Sequence, residues 1–135
     1  VIRALIVCLH HFEVSLRMLA NGAKLRYEYV DMVGIDFYQF TSNEAYVERT
    51  RHCLALTEAF AKEHGKLMAV TEAGYEGIKY EKWWTEVLYP AIKDFPVSYV
   101  LLWRNACDEN MQHHFYGPYP GHDSAEGRHR LCHCP

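Results

Sequence analysis

The sequence lacks a surplus of positive charge. Its 14 Lys and Arg stand against 17 Asp and Glu, a formal net charge of -3, so nothing concentrates positive potential against a phosphate backbone and nucleic acid is not expected as a partner. It lacks an uninterrupted apolar run near the roughly 18 residues a spanning helix needs. Charges and histidines occupy the first residues, where a secretory core would be apolar, so neither a membrane span nor a leader is read here. No Gly-x-Gly-x-x-Gly and no Walker lysine follows any apolar run, which leaves a nucleotide-binding open sheet without support. Paired cysteine spacing is also missing. The 5 Cys are scattered, which argues against a disulfide framework. Cys132-His133-Cys134 and His113-His114, among 9 His, do not show the C-x₂₋₄-C and H-x₃₋₅-H spacing by which ligands converge on one zinc, so no metal and no cofactor is expected.

What is present is a regular alternation of elements. Residues 29–38 form a short apolar run that ends in polar and aromatic residues, as a buried parallel strand does when its C-terminal tip faces a site. Thr41-Ser42-Asn43-Glu44 reads as a capping box with Thr41 at the cap. The spacing of Tyr46, Cys53, Leu56 and Phe60 predicts one apolar stripe on a helix over about 43–64, stopped by Gly65. Residues 66–72 repeat the strand design, ending in Thr71, Glu72 and the turn-permitting Gly74. Trp83, Trp84, Val87, Leu88, Ala91 and Ile92 have helical spacing, with Pro90 kinking or ending the segment, and the two indoles read as packing. A strand over 97–103 follows, and a further one is expected at about 4–9.

Strand, helix, strand, helix, strand demands parallel strands with covering crossovers, so the class is α/β. Each strand tip carries its own chemistry: Asp36 and Tyr38, then Glu72, then Trp103 and Arg104. Separate strands contributing polar and aromatic groups at one end is the arrangement of a (β/α)8 barrel. A whole barrel takes about 250 residues, and 135 supply only part of one.

Five segments in register carry a specific resemblance. They are residues 29–38, Thr71-Glu72-Ala73-Gly74, Trp83-Trp84-Thr85, Trp103-Arg104-Asn105-Ala106 and Pro118-Tyr119-Pro120-Gly121-His122. Over residues 27–126 the sequence resembles the C-terminal part of the β-mannanases of glycoside hydrolase family 26. The resemblance implies a partial (β/α)8 TIM barrel holding strands about 5/6 to 8 only. It also implies a retaining endo-β-1,4-mannosidase acting on mannan, galactomannan or glucomannan, secreted or held at the cell surface. By position, Glu72 resembles the catalytic nucleophile, a role that suits a carboxylate because retention proceeds through a covalent glycosyl-enzyme. Asp36 and Tyr38 resemble the family's Asp-x-Tyr pair beside the cleaved sugar, the phenol placed to hydrogen-bond the nucleophile. Trp103 resembles its stacking platform and Arg104 a donor fork for sugar hydroxyls. Asn105 is read as shaping a loop. Tyr75, Phe115, Tyr116 and Tyr119 stay open between sugar contact and loop packing.

Departures from the family are equally specific. Its general acid/base, a Glu at the fourth strand tip, has no counterpart here, so the chain reads as an inactive fragment holding the nucleophile half. Residues 1–26 match poorly and 127–135 not at all. Codons CGA CAT CGC CTT TGC CAC TGC can encode Arg128 onward. Read one base later, they spell Asp-Ile-Ala-Phe-Ala-Thr-Ala, which is like the family's next helix, so frameshifts are expected at both ends. Two alternatives remain open: a relative that cleaves xylan or β-glucan, and a non-catalytic carbohydrate-binding or interaction module.

Overall fold

The structure is a computed structural model describing residues 4–8, 30–105 and 116–126. It contains four parallel strands, β1 (Ala4–Cys8), β2 (Met32–Tyr38), β3 (Leu67–Gly74) and β4 (Val97–Leu102), paired in chain order. Helix α1 (Asn43–His64) connects β2 to β3. Helix α2 connects β3 to β4, with π-type hydrogen bonding over Trp84–Leu88 and a last α turn over Tyr89–Ile92. The strand order never reverses among these four. Right-handed crossovers that all step the same way place their helices on one face of the sheet and leave the other for side chains of the strands themselves. No helix among the described residues is long and apolar enough to cross a membrane.

Alternation along the strands sorts residues between these two faces. Val33, Ile35, Met68, Val70 and Ala73 form one apolar cluster with Cys53, Leu54 and Ala61 of α1, joined at its margin by Phe37, Val97, Val100 and Leu102. Gly34, Asp36 and Tyr38 alternate with the β2 members and so turn to the helix-free face. A second cluster centres on Trp83 and Trp84, both fully buried, with Tyr46, Val87 and Leu88. The packing reading of the two indoles holds. Leu67, Tyr99 and Leu101 remain exposed on β3 and β4.

Helix α1 begins and ends by local chemistry. Its cap is Ser42, whose hydroxyl accepts from the Ala45 N–H at 3.2 Å, so the capping reaction falls one residue later than the Thr41 predicted from the box. The first helical N–H groups need an acceptor three positions back, and Ser42 stands at that distance with extended backbone. Gly65 ends the helix in the left-handed region at φ 62° and ψ 40°, where a residue without Cβ is favoured. The buried face also differs in part from the predicted stripe: Tyr46 and Cys53 are inside, but so are Thr50, Leu54, Thr57 and Ala61, whereas Leu56 is exposed and Phe60 half-buried. Threonine is tolerated there because a buried hydroxyl can bond back into the helix, as Thr57 does to the Cys53 carbonyl at 2.9 Å.

In α2, Pro90 supplies no N–H. The Tyr89 N–H reaches back to the Trp84 carbonyl, a widened turn that brings the helix to Pro90 in a register that needs no donor there. Arg51 of α1 fastens its end, donating to the Pro90 carbonyl at 2.8 Å and pairing with Asp94 at 2.8 Å.

The cap assignment makes a discriminating pair of substitutions. Ser42→Ala is expected to cost about 1 kcal/mol of stability and Thr41→Ala less than about 0.5 kcal/mol. Urea midpoints of the two variants measure the difference, and the opposite ranking would return the cap to Thr41.

Candidate active site

The helix-free face converges on the C-terminal ends of β2 and β3. Pairing runs in step from Met32↔Leu67 to Ile35↔Val70 and then slips by one residue, so that Asp36 pairs with Glu72 and Thr71 is extra. This bulge has a direct consequence for side-chain direction. Val70 and Ala73 both stay in the cluster under the helices, and the two residues between them turn to the other face in succession. Without the extra residue Glu72 would share a face with Val70.

Steric and hydrogen-bonding contacts hold the bulge in place. The Thr71 hydroxyl donates to Asp36 Oδ1 at 2.7 Å. Its methyl group fills the space over Gly34, where a Cβ would stand 2.4 Å from Thr71 Cγ2. The Tyr38 hydroxyl donates to Glu72 Oε2 at 2.7 Å. Burial and the Glu72 carboxylate both push the Tyr38 phenol far above its ordinary range, so it remains a protonated donor. Burial lifts the Asp36 carboxyl; the Thr71 hydrogen bond works against this, and the neighbouring Glu72 adds to it.

Tyr116 closes one side of the group. It is buried, meets the Tyr38 ring edge-on at 5.5 Å between centroids, and lies so close over Gly74 that a Cβ there would be 2.5 Å from its ring. Asn105 anchors it: Oδ1 accepts from the Tyr116 and Gly117 N–H groups, each at 2.8 Å, and Nδ2 donates to the Gly117 carbonyl at 2.8 Å. The loop-shaping reading of Asn105 follows from these contacts, and Tyr116 packs against Tyr38 at the edge of the candidate site.

Asp36, Tyr38 and Glu72 are thus brought together by two hydrogen bonds, Thr71 to Asp36 and Tyr38 to Glu72, across one strand pair, whereas Trp103 and Arg104 reach the same sheet end by register. The Trp103 N–H donates to the Ala73 carbonyl at 2.9 Å, and alternation after Leu102 turns the indole to the helix-free face. Arg104 is exposed, with its guanidinium 5.8 Å from the Trp103 ring. In the segment 118–122, His122 Nδ1 lies 2.9 Å from the Ser124 hydroxyl and its ring meets Tyr119 edge-on. Among the described residues no three His, Cys, Asp or Glu side chains gather where a metal ion could sit. Phe115, His113-His114 and Cys132-His133-Cys134 lie outside the described residues.

Comparison with solved structures finds a GH26 β-mannanase from Bacteroides ovatus, 33% identical, with a TM-score of 0.85 over 99% of this chain and 37% of that one. The chain is similar to β-mannanases of glycoside hydrolase family 26. GH26C from Muricauda sp. is 25% identical with a TM-score of 0.75, over 99% of this chain and 36% of its own. A modular endo-β-1,4-mannanase from Cellulomonas fimi is 26% identical with a TM-score of 0.71, over 98% of this chain and 30% of its own. The chain therefore spans roughly a third of the length of the solved structures it matches. No protein-family model matches the sequence, and no curated protein matches it.

Sequence reasoning had named Asp36, Tyr38, Glu72, Trp103 and Arg104. It missed the positional parts played by Gly34 and the slip at Thr71. The one available signal was Gly34 inside an otherwise apolar strand, a common mark of close approach by a neighbour.

Two outcomes test this geometry. Gly34→Ala is expected to destabilise by about 1–3 kcal/mol, with part of the loss recovered when Thr71→Ala is added; strict additivity in urea unfolding would show that the two do not interlock. Asp36→Asn keeps an acceptor for Thr71 and removes the raised carboxyl. A carboxyl raised in the folded state loses favourable folding energy as pH climbs from the unfolded value towards the folded one. The variant should therefore gain stability relative to the parent chain as pH rises above about 4. A pH-independent difference in unfolding midpoint would refute it.

Proposed function

We propose that the chain is the nucleophile-bearing part of a retaining glycoside hydrolase that cleaves β-1,4-mannosidic bonds in mannan, galactomannan or glucomannan. The observation that carries this reading is the Tyr38–Glu72 hydrogen bond beside Asp36, set at the tips of adjacent parallel strands in a chain 33% identical to a β-mannanase. In this reading the four strands are a C-terminal arc of a (β/α)8 barrel, about its fifth or sixth to eighth strands. The sequence motifs that support it fall within residues 27–126, and the structural similarity extends over 99% of the chain.

The chemistry assigned to each group follows from its contacts. Tyr38 engages Oε2 of Glu72 and leaves Oε1 available. A carboxylate oxygen attacks the anomeric carbon as the glycosidic carbon–oxygen bond breaks, and the sugar becomes an ester of Glu72 with inverted configuration. The departing oxygen takes a proton from a second carboxyl group, which in this proposal comes from outside these 135 residues. Water then opens the ester with a second inversion, so configuration is retained overall. Tyr38, a fixed donor, also turns its oxygen dipole towards positive charge developing on the ring. Trp103 offers the apolar sugar face a surface to stack on, and Arg104 donates to its hydroxyls. Polymeric mannan lies outside cells, which places the parent enzyme in the secreted or cell-surface class.

An activated 2-deoxy-2-fluoromannosyl fluoride needs no acid to leave and tests the assignment directly. The peptide containing Glu72 should acquire the sugar in mass spectrometry, while the 135-residue chain leaves mannan uncleaved for want of a proton donor. In the full-length parent, Glu72→Ala should lower kcat on β-mannan by roughly three orders of magnitude or more. Label on another carboxylate, or near-normal turnover by the variant, would remove Glu72 from this role.

A further inference from the structure

The site's hydrogen bonding continues one residue past Tyr38. Gln39 is 4% exposed, a level at which an unpaired amide would be costly. Every polar atom of its side chain is used. Oε1 accepts from the Trp83 indole N–H at 2.5 Å, and Nε2 donates to Asn43 Oδ1 at 2.8 Å and to the Thr41 carbonyl at 3.2 Å. An indole N–H can only donate, which fixes the amide with its oxygen towards Trp83. Trp83 itself is fully buried among Trp84, Tyr46 and Tyr75.

The backbone of Gln39 faces the other way. Its N–H donates to the Gly74 carbonyl at 2.9 Å, extending the β2–β3 ladder beyond the last pair, Tyr38↔Gly74. One residue therefore ties the tip of β3, the start of α1 and the start of α2 to the peptide that follows Tyr38. The Tyr38 ring has Tyr116 and Phe40 beside it at 5.5 and 6.3 Å between centroids. These contacts orient the ring but do not set the height of the backbone from which it projects. The ladder ends at the Tyr38↔Gly74 pair, so the peptide after Tyr38 is held by what Gln39 binds.

We propose that Gln39 is a positioning residue, whose buried amide clamps the end of β2 so that the Tyr38 hydroxyl meets Glu72. The clamp's bearing on catalysis rests on the reading of Glu72 as nucleophile; its bearing on Tyr38 does not. Leucine at 39 would leave the Trp83 N–H and the Asn43 amide facing hydrocarbon. Glutamate would keep the acceptor for Trp83 and set its second oxygen against two others, Asn43 Oδ1 and the Thr41 carbonyl.

The test is NMR of the 135-residue chain carrying ¹³Cζ-tyrosine and ¹⁵N-indole tryptophan, with Tyr38→Phe and Trp83→Phe supplying assignments. Gln39→Leu should shift the Tyr38 Cζ signal towards its position in Glu72→Gln and bring its titration down towards about 10, the ordinary phenol value. Gln39→Glu and Asn43→Ala, smaller perturbations that keep the Trp83 partner, should shift it part of the way and decide the matter if the leucine variant does not fold. A Trp83 indole signal that moves while the Tyr38 signal stays put would overturn the proposal, since Gln39 would then serve packing alone. Labelling by the fluoromannosyl fluoride gives the catalytic arm. Gln39→Leu should slow it roughly 10-fold or more, with no further loss when combined with Tyr38→Phe; additive losses would also overturn the proposal. Absence of label in the parent chain counts against Glu72 as nucleophile and leaves the Tyr38 signal to decide the role of Gln39.

Discussion

A strand shows its side chains to opposite sides in turn, and the stretch from Val70 to Ala73 departs from that rule by one residue. The departure is what the site depends on. It lets β3 keep apolar groups under the helices on both sides of the bulge while turning two consecutive polar residues outward. One of the two, Thr71, holds the neighbouring strand through Asp36 and Gly34; the other, Glu72, receives Tyr38. A carboxylate and its hydroxyl partner from separate strands need a matched register, and a hydrogen-bonded ladder with one extra residue provides it.

Support comes from the helix layer. The aromatic cluster around Trp83 and Trp84 is buried, and beside it a single side-chain amide connects the starts of two helices to the strand tip. Hydrogen bonds in such surroundings hold geometry firmly, because each broken one leaves a group without solvent to replace its partner. On the opposite flank, Asn105 does comparable work for Tyr116 using backbone groups only. The phenol of Tyr38 is thereby set between a clamp on its main chain and a wall along its ring.

Much of this was legible in the sequence. Strand positions followed from short apolar runs, and the limits of α1 from Gly65 and a run of capping residues, because these signals are local and repeated. The candidate residues Asp36, Tyr38 and Glu72 stood out through ordered segments of resemblance, and the structure sets them beside one another at adjacent strand tips. The capping residue was misplaced because Thr41 and Ser42 are chemically equivalent acceptors, and only backbone geometry chooses between them. Leu56 was assigned to the buried stripe by hydrophobicity, yet Thr50 and Thr57 took the inner positions, since helix phase is set by what the sheet presents. The bulge was invisible for a deeper reason: pairing register is a property of two strands, and Thr71 shows its role only when Gly34 and Asp36 stand beside it. Gln39 carried no signal at all, since a polar residue after a strand ordinarily reads as solvated.

The outward residues of β4 carry a different consequence. At the rim of the described sheet, Tyr99 and Leu101 project into solvent from a strand whose peptide groups on that side find no mate among the described residues. An unpaired margin of this kind is a place where a strand can add. In the barrel arc proposed above, it is the edge at which the wall of the cylinder would continue.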